Sequence, residues 1–173
     1  MDTKHQKTTG GRDSKTNISG DEIKVSQMLK PEFVAIGMDA MDKWDLIARM
    51  AHLIGKSDKI TDEDDLLEKL IEREKNMTTG LGHRMAIPHA MSEGVKEIVV
   101  GAATLKEPID FESFDFEDID VIFIIASPID RDKKYMTILS QIAKLFSNPD
   151  FGKVLIAAKT PQEFIEIIAD AGV

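Results

Sequence analysis

The sequence predicts an α/β sandwich built around one sheet. Three observations lead there. Short apolar runs of strand composition alternate with segments of helical periodicity. One run, Val121 to Ile125, is nearly all apolar, as a central strand covered on both faces must be. Helix start signals recur between the runs, the clearest at Thr160-Pro161-Gln162-Glu163, which has a cap residue, proline at the first helical position and glutamate three after the cap.

In chain order, residues 1 to about 22 are polar and nearly free of hydrophobes. They read as a disordered tail or an appended extension, because they cannot bury enough surface to offset ordering entropy. A single domain is expected over 23–173. Glu32 to Ile36 is a first strand. Asp39 or Asp42 then caps a helix with Leu46, Ile47, Met50, Leu53 and Ile54 at helical spacing, stopped by Gly55. Thr61 opens the next helix, with Asp64 three residues on and Leu66, Leu67, Leu70 and Ile71 as its stripe; it fades near Asn76. A glycine loop follows. Met85 to Ile87, Ile98 to Leu105 and Val121 to Ile125 are strands, the last ended by Ser127-Pro128. Tyr135 to Phe146 is a helix with Leu139, Ile142 and Phe146 inward. Phe151 to Ala158 is a short helix, and a last one runs from Thr160 through Ile168.

Composition narrows the chemistry. Cysteine is absent, which removes disulfides, thiolate nucleophiles and thiolate metal sites and fits a cytoplasmic home. The balance of 22 basic and 31 acidic residues gives a net charge of −9, which disfavours nucleic acid and favours a basic protein partner. No apolar run approaches the roughly 20 residues of a membrane helix, so no membrane insertion is expected. The first residues carry no apolar signal segment.

The most informative stretch is Gly80-Leu81-Gly82-His83-Arg84-Met85-Ala86-Ile87-Pro88-His89-Ala90. Pro88 fixes its own φ and pushes Ile87 toward extended geometry. Gly80 and Gly82 permit tight bends and leave room for a partner to approach. The result is an imidazole, His89, on a stiff support, which suits a histidine that reacts with another macromolecule. His5 lies in the tail and His52 falls mid-helix, where packing or exposure explains it. His83 and His89 as a zinc pair find no cysteine and no well-placed third histidine; carboxylates are plentiful, but no metal site is expected. Nucleophilic attack on phosphorus is the sharper reading, because imidazole is half neutral near physiological pH. The incoming phosphoryl oxygens require cationic and N–H partners. Arg73, sixteen residues upstream, is the candidate cation, although spacing alone reads it as a solvated helix residue.

Glu72-Arg73-Glu74, then Thr78-Thr79-Gly80-Leu81-Gly82, then Ala86-Ile87-Pro88-His89-Ala90 resembles the signature of the fructose/mannitol-type (EIIA type-2) IIA proteins of the phosphoenolpyruvate-dependent phosphotransferase system. The stand-alone nitrogen-regulatory branch is the nearest in length and layout. The likeness runs from about Val25 to Ile168. It implies a single domain with a mixed sheet flanked by helices, and no cofactor. It implies that His89 accepts a phosphoryl group from a histidine phosphocarrier of the HPr or NPr type, and that Arg73 stabilises its charge. The next partner would be a IIB domain, or a regulatory target whose binding the phosphorylation switches. No membrane or IIB segment is expected within this chain, which favours the switch. Retention of Arg73 and His89 argues against a degenerate member.

Three positions depart from the family pattern. Tyr135 stands where a second active-site histidine is usual; it can donate a hydrogen bond but carries no charge. His83-Arg84 replaces the usual Asn-Gly pair. His83 either restores the missing imidazole from another direction or is a surface substitution, and Arg84 adds positive charge of open direction. Gly80, Gly82 and Arg84 are then candidate binding residues. Met91 replaces a position often basic in the regulatory branch. The acidic run from Glu107 to Asp120 reads as a solvated loop that also helps attract a basic carrier.

Overall fold

The computed structural model describes residues 22–130 and 133–173. The expected tail, Glu22 apart, and His5 with it lie outside the described residues. A short helix α1 (Val25–Met28) leads into strand β1 (Leu29–Met38) and helices α2 (Lys43–Gly55) and α3 (Glu63–Asn76). Three short strands follow, β2 (Gly80–Gly82), β3 (Met85–Ala86) and β4 (His89–Met91). Long strands β5 (Val99–Ile109) and β6 (Ile119–Ser127) precede helices α4 (Lys133–Leu145), α5 (Phe151–Ile156) and α6 (Pro161–Asp170).

The sheet is mixed, with order β1-β5-β6-β3-β2 and β4 also paired to β6. β1 runs parallel to β5, β5 antiparallel to β6, and both β3 and β4 parallel to β6. Every residue of β6 is buried, as its composition requires. Its side chains alternate between two cores. Val121, Phe123 and Ile125 join residues of α1, α4, α5 and α6 on one face. Ile122, Ile124 and Ala126 join Leu46, Ile47, Met50, Ile54, Leu66 and Leu70 of α2 and α3 on the other. The expected architecture of a single sheet flanked by helices is therefore the observed one.

Local chemistry sets the boundaries. Asp42, one of the two expected caps, accepts from the Asp45 N–H at the start of α2. α3 is capped by Asp62 rather than Thr61: the Asp62 carboxylate takes the Asp65 N–H at 3.0 Å, and aspartate is the stronger cap. Thr160 caps α6 as expected, accepting from Glu163 N–H, while the Glu163 carboxylate reaches back to Lys159 N–H at 2.7 Å. In α4 the inward residues are Tyr135, Ile138, Ile142 and Leu145; Leu139, expected inward, is half-buried because the stripe begins at Tyr135 and steps by three and four.

The glycine segment is not an open loop. Gly80–Gly82 forms a strand that pairs antiparallel with β3, closing a hairpin whose two central residues are His83 and Arg84. Both have positive φ, 53° and 62°, the geometry that a two-residue loop needs to match strand twist and that normally selects Asn-Gly. His83→Asn is expected to stabilise the fold by about 0.5–1 kcal/mol, since asparagine tolerates this region better than histidine. A rise in the urea midpoint at unchanged slope is the check.

Candidate functional site

Pro88 breaks the strand between β3 and β4, because it offers no N–H to the ladder. The chain resumes pairing at once: Ile125 N–H donates to the Pro88 carbonyl at 3.0 Å, and His89 lies opposite Ile125. No further strand pairs with the outer edge of β4 among the described residues. That edge is instead bordered by the end of α3, from one face of the sheet, and the first turn of α4, from the other. A shallow concavity of about 300 Å³ opens between them, lined by Lys69, Arg73, Asn76, His89, Met91 and Tyr135 among others.

The His89 ring is half-buried and its orientation is fixed. Nδ1 lies 2.7 Å from the carbonyl of Ile87. A carbonyl only accepts, so Nδ1 carries the proton and Nε2 keeps the lone pair. Burial pushes the imidazole below the ordinary histidine range; the Ile87 carbonyl pulls back up, Arg73 pushes down, and Glu74 pulls up. The ring is therefore neutral at neutral pH, with a free basic nitrogen.

Arg73 comes to the site on the last turn of α3. Lys69, Glu72, Arg73 and Asn76 share one helix face, at steps of three and four, and that face looks onto the concavity. One arm of the guanidinium donates to the Met77 carbonyl at 2.8 Å, which satisfies an orphan acceptor at the helix end and steadies the side chain. Tyr135 opens the inward stripe of α4. Its ring centroid lies 6.2 Å from that of His89 at an interplanar angle of 52°. Burial raises the phenol above its ordinary value, Arg73 opposing, so Tyr135 stays an uncharged O–H donor. The structure thus gathers His89, Arg73 and Tyr135 around one opening.

It takes the remaining sequence candidates elsewhere. Met85 lies opposite Val121 and His89 opposite Ile125, four residue steps or roughly 13 Å along β6. His83 is further still, exposed at the hairpin tip with its N–H on the Asp115 carboxylate at 2.9 Å. It does not stand in for a second imidazole beside His89. The Arg84 guanidinium turns to Asp120, 2.7 Å away. Gly80 and Gly82 do not clear a path for a partner: the space beside them is filled by Ser113 and Asp115 of the same chain. Gly80 N–H is taken by the Thr78 hydroxyl. Gly82, at φ 108°, holds the conformation that lets the hairpin turn. The acidic segment between β5 and β6 enters β6 at Ile119, the end opposite to His89, so it does not border the concavity.

Sequence reading missed a buried network behind the site. Glu74 and Lys43 pair at 2.9 Å with side chains 1% and 5% exposed. Glu74 also accepts from Thr79 N–H at 2.9 Å and from the Thr79 hydroxyl. The Thr79 carbonyl in turn accepts from Ile87 N–H at 3.0 Å.

Comparisons with known proteins bear on the fold and the family. Residues 27–171 match the family model described as phosphoenolpyruvate-dependent sugar phosphotransferase system, EIIA 2. The chain is 26% identical to a nitrogen regulatory protein of Pseudomonas aeruginosa over 148 residues, covering 86% of this chain and 96% of that one. It is 25% identical to the fructose-specific EIIABC component of Bacillus subtilis over 146 residues, covering 84% of this chain but spanning only 23% of that protein. Among solved structures it superposes on nitrogen regulatory protein IIA-Ntr from Neisseria meningitidis with a TM-score of 0.77 and 26% identity, covering 83% of this chain and 98% of that one.

Proposed function

The chain belongs to the EIIA 2 family of the phosphoenolpyruvate-dependent sugar phosphotransferase system, and we propose that its phosphoryl acceptor is Nε2 of His89. One observation carries the reading. The Ile87 carbonyl holds Nδ1–H, which leaves Nε2 unprotonated on a ring that lines the concavity together with Arg73 and Tyr135. The donor is a phosphohistidine on a small carrier protein of the HPr or NPr type. The Nε2 lone pair attacks phosphorus in line, forming a new N–P bond. The donor's N–P bond breaks with its electron pair returning to that nitrogen, and the donor ring, already protonated on its other nitrogen, leaves as neutral imidazole while the His89 ring takes over the positive charge. The transition state is loose, so positioning and charge stabilisation carry the catalysis. The N–H donors of Arg73 not engaged by Met77 face the incoming oxygens, and Tyr135 offers a neutral hydrogen bond. The phosphoryl group then passes to a IIB partner in a cytoplasmic phosphotransfer chain.

Protonated imidazole cannot attack, which gives the reading a pH signature. Because the folded site holds His89 below the ordinary value of 6.5, the acid limb of the rate of adduct formation lies at lower pH than for an ordinary histidine. The rate drops about ten-fold per unit only below the lowered pKa. A carrier whose own pH dependence is measured separately provides the correction.

A second reading, a binding module whose phosphorylation state switches a transporter, kinase or regulator, is favoured by Tyr135. A phenol supplies no positive charge to the acceptor site and none to the outgoing step. The test is to incubate the protein with phosphoenolpyruvate, enzyme I and the carrier, and to look by intact mass for an acid-labile phosphoryl adduct. No adduct with a competent donor would overturn both readings. Onward transfer to a IIB domain supports the first, and a stable adduct that alters partner binding supports the second.

A further inference from the structure

We propose that Glu74 is a positioning residue for His89, fixing the imidazole through Thr79 and Ile87 so that Nε2 faces the concavity. The inference rests on the reading of His89 as the acceptor. Three connected hydrogen-bonded contacts carry it. The Glu74 carboxylate grips Thr79 by its backbone N–H, at 2.9 and 3.2 Å to the two oxygens, and by its hydroxyl at 2.5 Å. The Thr79 carbonyl takes the Ile87 N–H at 3.0 Å. The Ile87 carbonyl takes His89 Nδ1–H at 2.7 Å. Ile87 lies just outside the end of β3, where Pro88 interrupts the ladder, so the Thr79 carbonyl holds Ile87 itself, while Ile125 holds the segment one residue further on at the Pro88 carbonyl.

The site needs such a device. β4 is three residues long and sits at the free edge of the sheet, so strand pairing beyond it cannot restrain the ring. Glu74 is nearly fully buried, and its charge is neutralised by Lys43, which also stacks against Phe111 at 4.8 Å. Adjacent residues of one helix end thus divide the work. Arg73 faces the opening and the incoming charge, and Glu74 faces inward and holds the strand segment that carries the nucleophile.

Truncating Glu74 alone leaves the Lys43 charge buried, so the test compares two uncharged double variants. Lys43→Met with Glu74→Gln keeps a carbonyl acceptor for Thr79 N–H; Lys43→Met with Glu74→Leu keeps the bulk and removes the acceptor. The readouts are the ¹⁵N spectrum of the His89 ring and the rate of phosphorylation by the carrier. The Gln variant is expected to retain the Nδ1–H tautomer and to stay within about three-fold of the native rate. The Leu variant is expected to populate both tautomers and to slow by about ten-fold or more. Equal tautomer populations and equal rates in the two variants overturn the proposal. Thr79→Val, which leaves the ion pair intact, provides a milder case in which tautomer exchange should rise; an unchanged ring spectrum there also counts against it. The ring spectrum needs no phosphoryl donor. A tautomer that follows Glu74 in a protein that never forms an adduct would sink the acceptor reading and leave the positioning in place.

Discussion

His89→Ala is expected to abolish the acid-labile adduct, not merely to slow its formation. The nucleophile forms the bond itself, so nothing remains to take over its role. The other described histidines are poorly placed to substitute. His52 is largely exposed on α2, its ring on the Glu63 carboxylate. His83 projects from the hairpin tip, beyond the end of β3 away from the opening. Intact mass after incubation with the complete donor system is the measurement. An adduct that persists in His89→Ala and disappears in His83→Ala would move the acceptor to the hairpin and end the reading of the concavity.

Arg73→Met has the next largest expected effect. Removing one preorganised donor from a developing oxyanion costs about 10²- to 10³-fold in rate, equivalent to ~3–4 kcal/mol. Arg73→Lys keeps the charge but loses the planar fork and the fixed hold on the Met77 carbonyl, so it should fall between the two. A second readout separates charge stabilisation from mere helix fraying. Arg73 pushes the His89 pKa down, so its removal lets that pKa rise. The acid limb of the rate profile then moves to higher pH, and the variant loses proportionally more activity at mildly acidic pH than at pH 8. A variant with a native rate and an unmoved acid limb would leave the guanidinium without a role.

The elements with the strongest local grammar were legible in the sequence. The apolar run of β6, the capping box of α6 and the stripes of α2 and α3 each follow from periodicity or from a cap that pairs with a specific N–H. Of the candidate site, the sequence reading reached the proline-histidine pair and the arginine, which the fold brings to one concavity. What escaped depends on tertiary geometry. β4 is a strand because Ile125, 36 residues later, lies opposite His89, a pairing no local pattern encodes. The hairpin at His83-Arg84 lacked its signal because the residues that normally mark such a turn are absent. Nothing in the sequence reading pairs Lys43 with Glu74, yet the pattern holds a clue. Lys43 continues the spacing of Ile47, Met50 and Ile54, and Glu74 continues that of Leu66 and Leu70. A charge on the apolar stripe of each of two neighbouring helices is a reason to expect that they meet.

The nearly unbroken apolar character of β6 bears on how the chain reaches its native state. Its nine residues need cover on both faces. Helices α2 and α3 precede it in the chain, but three of the four helices covering the other face, α4, α5 and α6, follow it. During synthesis the segment is therefore complete before most of the layer that shields it exists. Its composition, free of proline and carrying one carboxylate near its start, is that of a sequence prone to pair with copies of itself. The vulnerable interval ends as α4 and α5 pack on this face and Phe164 of α6 closes over Phe123, so the helices made after β6 serve as protection against self-association.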